Sequence, residues 1–325
     1  MVKQGDIKVS RVCERVGMSR QNYYAVRRER QARQIDEELV VELVKAERRL
    51  QPRIGGRKLL VMLRPRLAEA GVSIGRDRLF EILKKRELLV KRKAKRPRTT
   101  HSRHSLPVFG NLLKEVEPTG PHQVWVSDLS YLRTEEGFVY AFLITDLYSR
   151  KIVGYHLGDS LGTEGAQKAL EKALEQLPEG CFPIHHSDRG SQYCCHEYVE
   201  RLRRRGLRIS MTEERHCYEN AVAERVNGIL KQEYELDATY RSKRQAKRAF
   251  RQAVEMYNCR RPHMSLEYAV PSQVHAGVGW RARLDPRGGA SAVPGRLRAY
   301  GAPPPWDTRN ISEVRRPKCQ TETRT

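Results

Sequence analysis

Gln123-Val124-Trp125-Val126-Ser127-Asp128-Leu129-Ser130-Tyr131-Leu132 decides the fold, because it is the first stretch of the chain that reads as a β-strand. β-Branched and aromatic residues crowd it, and such side chains suit a pleated, half-buried surface. Working outward, Gly137 turns the chain into a second apolar run over 138–145, and Ser149-Arg150 turns it into a third over 151–156. Three neighbouring strands joined by short turns predict a meander. Residues 163–177 then place Ala166, Ala169, Leu170, Ala173, Leu174 and Leu177 on one helical face. A short apolar run over 181–187, a helical stretch over 191–205, a fifth strand over 207–211 and a long helix over 219–235 complete the pattern. The order β-β-β-α-β-α-β-α predicts an α/β unit, a mixed five-stranded sheet with flanking helices, over 121–278.

The segments ahead of this unit are helical and basic. In 5–32, Val9, Val12, Cys13 and Val16 recur at helical spacing, Gly17 ends that helix and Ser19 caps the next. This is a helix-turn-helix pattern with Arg20, Gln21 and Asn22 on the first turn of the candidate recognition helix, where base edges would be met. A second helical region covers 36–95. Gly55-Gly56-Arg57-Lys58 opens one helix there, Gly71 follows its end, and Ser73 is a candidate cap for the next. Lys91-Arg92-Lys93-Ala94-Lys95-Arg96-Pro97-Arg98 leads into a basic linker over 96–120, where like charges repel one another into a solvated arm able to lie along a phosphate backbone. Residues 279–325 are rich in Gly, Pro and Arg and lack periodicity.

Charge narrows the function. The 325 residues carry 62 Lys+Arg against 39 Asp+Glu, a net +23, with a pI near 10.0. That is the electrostatic footprint of a nucleic-acid partner. The longest apolar run, 138–145, is far short of the roughly 18 residues a membrane span needs. The start of the chain has no apolar signal core, which predicts a cytoplasmic protein. Seven cysteines at irregular spacings, with no C-x-x-C pair, indicate neither a disulfide framework nor a zinc ribbon.

Three carboxylates stand at informative places. Asp128 interrupts the first strand, where an unpaired charge would be costly. Asp188 follows the fourth strand, and ligand sites in open α/β sheets gather at strand ends. Glu224 sits within the long helix, on a face shared with Asn220, Gly228 and Lys231. Carboxylate oxygens are the ligands Mg²⁺ prefers, and a pair of such ions suits in-line phosphoryl displacement. Asp146, at the end of the second strand, reads instead as a turn residue. Strand alternation sends His185 and His186 to opposite faces, so at most one can point at the site. Cys194-Cys195-His196 reads as buried or half-buried thiols, and Ser187-Asp188 lacks the Gly-x-Ser-x-Gly elbow of a hydrolase.

Trp125-Val126-Ser127-Asp128-Leu129-Ser130-Tyr131, His186-Ser187-Asp188-Arg189-Gly190-Ser191-Gln192-Tyr193 and Tyr218-Glu219-Asn220-Ala221-Val222-Ala223-Glu224-Arg225-Val226-Asn227-Gly228-Ile229-Leu230-Lys231 stand in that order, with thirty-five residues between Asp188 and Glu224. Together with Tyr257-Asn258-Cys259-Arg260-Arg261-Pro262-His263 and Pro271-Ser272-Gln273, they resemble the DDE transposases of bacterial insertion sequences, the second-reading-frame type of the insertion-sequence-three family. The resemblance covers about 5–278. It implies an RNase H-like core similar to retroviral integrase, with Asp128, Asp188 and Glu224 as catalytic residues and as ligands for two Mg²⁺ ions, which Mn²⁺ can replace. It implies that Lys231 contacts DNA at the element's end, that Asn220 supports the site, and that 56–91 is the helix-turn-helix region upstream of the core. Implied partners are double-stranded DNA (terminal inverted repeats and target), further copies of the chain, and an upstream-frame helix-turn-helix protein or fusion. The implied activity is DNA cleavage followed by strand transfer. Two alternatives are a DNA-binding regulator of transposition with a silent core and a structure-selective nuclease of the same fold.

Overall fold

The structure is a computed structural model that describes residues 17–90, 106–213 and 220–277, together with 10, 13 and 15. The chain divides into two compact units, 1–47 with 59–89 and 48–58 with 90–325.

The first unit is all helical. Gly17, in the left-handed region with φ +64°, precedes a helix α1 (Arg20–Leu50). Ser19 caps it as the sequence suggests, its Oγ accepting from the Asn22 amide at 3.2 Å. The regions read separately over 5–32 and 36–95 are continuous, and α1 is one helix of 31 residues. The reason is composition: residues 29–39 hold neither Gly nor Pro and consist mostly of strong helix formers. Two further helices follow, α2 (Gly56–Glu69) and α3 (Arg76–Lys85). Gly75, not Ser73, takes the N-cap position of α3, and it offers no side-chain cap. Leu79, Ile82 and Leu83 of α3 are buried, as are Val40, Val44, Leu63 and Leu67. The buried Glu37 carboxylate joins α1 to α3 by pairing with Arg78 at 2.5 Å and Lys85 at 3.0 Å.

The second unit is built on one mixed sheet. Its strands are β1 (Val124–Thr134), β2 (Gly137–Asp146), β3 (Ile152–Gly158), β4 (Ile184–Ser187) and β5 (Arg208–Met211), in the order β3-β2-β1-β4-β5. β1–β2 and β2–β3 are antiparallel, whereas β4 runs parallel to both β1 and β5. A sixth strand, β6 (Thr239–Tyr240), adds to the far end of β1. At two residues it is too short to leave a periodic signature. The remaining helices are α4 (Thr163–Leu174), α5 (Ser191–Cys194), α6 (His196–Arg204), α7 (Ala221–Glu233), α8 (Lys243–Cys259) and α9 (Pro271–His275).

Alternation along β2 divides the core between the two faces of the sheet. Val139, Ala141 and Leu143 pack with Val226, Ile229 and Leu230 of α7 and with Phe250, Val254 and Tyr257 of α8. Phe142 and Ile144 point the other way, with Trp125, onto Ala166, Ala169, Leu170 and Ala173 of α4 and Tyr198 and Leu202 of α6. Gly154 lets α4 lie close to the sheet, since a Cβ there would run into the Ala169 carbonyl.

Part of the predicted basic linker also belongs to this unit. Leu106 and Phe109 pack on the α4–α6 side, and Leu113 and Val116 on the cluster around Val124 and Ile184. Their apolar side chains, not the neighbouring bases, decide the conformation there. Residues 48–58 group with the core as well. The Arg53 amide donates to the Glu233 carbonyl at 3.0 Å, and the Tyr234 hydroxyl donates to the buried Gln51 side chain at 3.2 Å. Val9, Val12, Val16, Lys91, Arg92, Lys93, Cys217 and the 279–325 tail lie outside the described residues.

Candidate active site

The pairing of β1 with β4 places the first two acids. Their parallel ladder ends at Ser127↔Ser187, so Asp128 and Asp188 are the next residues on adjacent strands that lie about 4.8 Å apart. Both therefore stand at the carboxyl end of the parallel pair, where α/β sheets open into ligand crevices.

Helix α7 brings the third. Asn220, at its N-cap position, donates through Nδ2 to the Ser127 carbonyl at 2.9 Å, and Asn227 donates to Asp128 Oδ2 at 2.7 Å. Glu224 lies between them on the same helical face, at i+4 from Asn220 and i−3 from Asn227, so the two amides fasten its turn against Asp128. Asn227 is invisible to a search for charged residues, although its spacing from Glu224 was there to be read.

Electrostatics records the crowding. Burial, reinforced by the neighbouring Asp188 and Glu224 charges, pushes the Asp128 carboxyl up to about 7, against hydrogen bonds from Asn227 and the Leu129 amide. Asp188 is raised too, chiefly by burial and further by Glu224, and opposed by the Gly190 amide at 3.1 Å. Acids forced together in this way, offering only hard oxygen donors, fit a divalent cation, whose charge would relieve the repulsion. Among the described residues no group of three or more His, Cys, Asp or Glu side chains is already drawn together tightly enough to hold a metal ion.

Neither histidine of β4 joins the acids. His185 Nε2 is hydrogen-bonded with Ser127 Oγ at 2.7 Å and Tyr198 Oη at 2.9 Å, and burial lowers its pKa to about 3, keeping it neutral. His186 Nδ1 meets Ser210 Oγ at 2.8 Å. Asp146 behaves as the turn residue it was read to be, accepting from the Ser149 amide and hydroxyl at 2.7 Å each and from the His122 amide at 2.7 Å. Cys194 is buried and Cys195 half-buried, both as free thiols.

The basic residues separate into exposed and structural ones. Arg20, Gln21, Asn22 and Arg57 are exposed. Lys231 is half-buried, with its ammonium 4.6 Å from the centre of the Tyr131 ring. Two residues expected to contact DNA do not face solvent. Asn220 is buried and spent on Ser127. Lys58 is buried with its Nζ 2.5 Å from Glu233, and an ammonium committed to a buried carboxylate is not available to a phosphate. Glu233 also takes Arg261 in a fork, Nε at 2.8 Å and Nη2 at 2.9 Å. The Arg261-Pro262-His263 signature thus anchors the end of the helix that carries Glu224.

A mixed sheet with acids at the open end of its parallel strands and a third acid on a crossing helix defines a core of the integrase class. The family described as integrase core domain matches residues 118–217, and a second family of the same description matches 205–271. Over 265 residues the chain is 39% identical to the insertion element IS600 uncharacterized 31 kDa protein of Shigella sonnei, covering 80% of this chain and 96% of that one. It is 31% identical over 218 residues to the transposase for insertion sequence element IS629 of Shigella sonnei, covering 66% and 73%. With the transposase InsF for insertion sequence IS3A of Escherichia coli it shares 37% identity over 152 residues, 46% of this chain and 53% of that one. The chain belongs to the insertion-sequence-three family of bacterial transposases, whose work is transposition and DNA integration by polynucleotidyl transfer. Among solved structures, the integrase catalytic core domain of HTLV-2 in complex with magnesium aligns over 49% of this chain and 99% of that one, at 16% identity and a TM-score of 0.40. A simian T-cell lymphotropic virus intasome aligns over 74% and 76%, at 16% identity and a TM-score of 0.43.

Proposed function

We propose that this transposase cuts DNA at the ends of its element and joins the freed 3′-hydroxyl to target DNA, with Asp128, Asp188 and Glu224 as the catalytic acids. The observation that carries the reading is the convergence of the three: two adjacent strand ends in parallel register and a helix turn pinned by Asn220 and Asn227. Asp128, Asp188 and Glu224 would hold two Mg²⁺ ions, or Mn²⁺ in their place, which supply charge stabilisation to the attacking and leaving oxygens of an in-line displacement.

This chain's own residues prepare that chemistry. Asn227 fixes one oxygen of Asp128 and the Leu129 amide fixes the other, so the carboxylate is oriented before DNA arrives. The Gly190 amide does the same for Asp188. Lys231, two turns beyond Glu224, supplies a positive charge for the phosphate backbone of the element's end. Arg20, Gln21 and Asn22 of the helical unit, and Arg57 of the second unit, are the exposed residues proposed to meet DNA, with terminal inverted repeats as the sequence read and target DNA as the acceptor. Bridging two DNA ends calls for more than one copy of the chain, and an upstream-frame helix-turn-helix protein or fusion is a further proposed partner.

The test is cleavage and joining on end-containing oligonucleotide duplexes with Mg²⁺ or Mn²⁺. Asp128→Asn, Asp188→Asn and Glu224→Gln are each expected to abolish both steps while leaving DNA binding in place. Retention of both steps by Asp188→Asn would refute the assignment. Binding without cleavage by the unaltered chain under every metal condition would support the regulator reading, and cleavage without joining the nuclease reading.

A further inference from the structure

The hairpin β1–β2 carries a patch that the acids do not use. Beyond Phe142, which lies against Gly165 of α4, the same sheet face continues with Tyr140, Tyr131 and Phe138. Tyr131 pairs with Tyr140 across the strands, and Phe138 lies diagonally beside Tyr131. Tyr131 and Phe138 meet edge to face, with centroids 5.4 Å apart, and remain 43% and 46% exposed. Two large rings left open side by side form a contiguous apolar patch, which single exposed rings such as Phe182 do not.

Position and charge identify what would cover them. Tyr131 is three residues along β1 from Asp128, about 10 Å away, and strand alternation sets its ring on the other face of the sheet from the Asp128 carboxylate. Lys231, from the face of α7 that carries Glu224, places its ammonium 4.6 Å from the centre of the Tyr131 ring. Apolar rings, one of them with a cation over it, on a chain of net charge +23 are complementary to a nucleotide. The base would stack on the rings while its phosphate meets the ammonium. A base in an intact duplex has both faces occupied by its neighbours and cannot stack there, whereas an unpaired one can.

We propose that Tyr131 and Phe138 form a stacking platform for an unpaired nucleotide of the DNA strand engaged at the acids, holding the end of the element open beside the site. The platform rests on the assignment of Asp128, Asp188 and Glu224 as the active site, and it adds a binding role for two side chains outside it. It binds and positions, and takes no part in bond making.

The test uses the full chain without metal and two duplexes of one end sequence, one blunt and one with three unpaired terminal nucleotides, each carrying 2-aminopurine at the terminus. The unaltered protein is expected to prefer the unpaired end and to quench its fluorescence by stacking. Tyr131→Leu keeps apolar packing but loses the aromatic face. It is expected to lower affinity for the unpaired end at least about fivefold, the lower limit for one lost base stack, and to leave blunt-duplex affinity unchanged. Tyr131→Phe is expected to keep the preference, and Phe182→Ala, at an exposed ring elsewhere (60% exposed), to behave as the unaltered chain. Equal preference and quenching in Tyr131→Leu and the unaltered chain would overturn the platform. So would a shift of oligomeric state in Tyr131→Leu with preference unchanged, which would assign the patch to a second copy. Neither outcome bears on the acids, which stand or fall on cleavage and joining by the Asp188 variant.

Discussion

Replacing Glu233 by Gln keeps its size and removes its charge, leaving the Lys58 ammonium and the Arg261 guanidinium beside each other with no counter-charge. Both cations are well withdrawn from water, with side chains 10% and 2% exposed. Burial alone would raise the Glu233 carboxyl, but the Arg261 fork and the Lys58 pairing outweigh it and hold the group below its usual range. Arg261 is raised in spite of its burial, mainly by its bonds to Glu233, whereas burial and the Arg261 charge lower Lys58. The Glu233–Arg261 fork is therefore the strong member and Lys58 the weak one. Removing one partner of a buried pair costs about 3–5 kcal/mol. At about 2–4 °C per kcal/mol for a unit of this size, the melting temperature of Glu233→Gln is expected to fall by about 6–20 °C. Lys58→Met leaves the fork intact and is expected to cost about 1 kcal/mol. The sign with pH follows from the lowered carboxyl: its stabilisation is present above the unfolded value near 4.5 and is lost as pH falls below it. The gap between the unaltered chain and Glu233→Gln is thus expected to narrow in acid. Thermal and urea unfolding followed by circular dichroism at pH 7 and pH 4 measure both effects. A Glu233→Gln variant within about 0.5 kcal/mol of the unaltered chain, as exposed ion pairs behave, would refute the claim that the Arg261 signature anchors α7. Glu224 lies nine residues, about 13 Å, upstream on that helix, so a loosened anchor is also expected to slow cleavage.

Asn227→Ala removes a hydrogen bond to a charged acceptor, worth about 1.5–3 kcal/mol, and single-turnover cleavage is expected to slow about 10- to 150-fold with DNA affinity unchanged; an unchanged rate would exclude it as a positioning residue. Gly154→Ala, which drives a methyl group into the Ala169 carbonyl, is expected to destabilise by about 1–3 kcal/mol in urea titrations. Gly228→Ala, with open space around its Cβ, is expected to stabilise α7 by up to about 1 kcal/mol and to weaken DNA binding by crowding a phosphate beside Glu224 and Lys231. Burial, with His186 beside one and Arg261 beside the other, lowers His185 and His263 to about 3 each, so below pH 6.5 the unfolded chain takes up their protons and stability falls with pH. Asp128, raised to about 7, opposes this between pH 4 and 6.5 because the folded state binds its proton. Asp128→Asn is therefore expected to steepen the acid loss in urea midpoints measured from pH 5 to 7.

Period-2 and period-3.6 patterns carried most of the core. Every predicted strand from 123 to 211 is present within a few residues of its reading, because each alternates or runs apolar over a length set by the sheet. The helix at 191–205 is instead two, α5 and α6, separated by an extended Cys195 that apolar spacing does not report. Lys58 reads as a base beside Arg57 on a helix start, and nothing local distinguishes the exposed Arg57 from the buried Lys58. The difference is Glu233, 175 residues away. Likewise Tyr131 is legible as a strand residue, but its exposure depends on where α4 stops covering the sheet.

The sequence by itself determined the three acids, their order and the spacing that marks the family, because these are properties of residue type along one chain. It also pointed to a nucleic-acid partner, since a net charge of +23 depends on composition and not on shape. Only the tertiary structure decided which side chains surround those acids. The end of the β1–β4 ladder at Ser127↔Ser187 sets Asp128 beside Asp188, and Asn220 and Asn227 pin Glu224 over them. It also retired Lys58 and Asn220 from DNA contact and brought Lys231 to Tyr131. The physical reason is that burial and pairing are set by residues far apart in the chain, and a charge has a different role once a distant side chain has neutralised it.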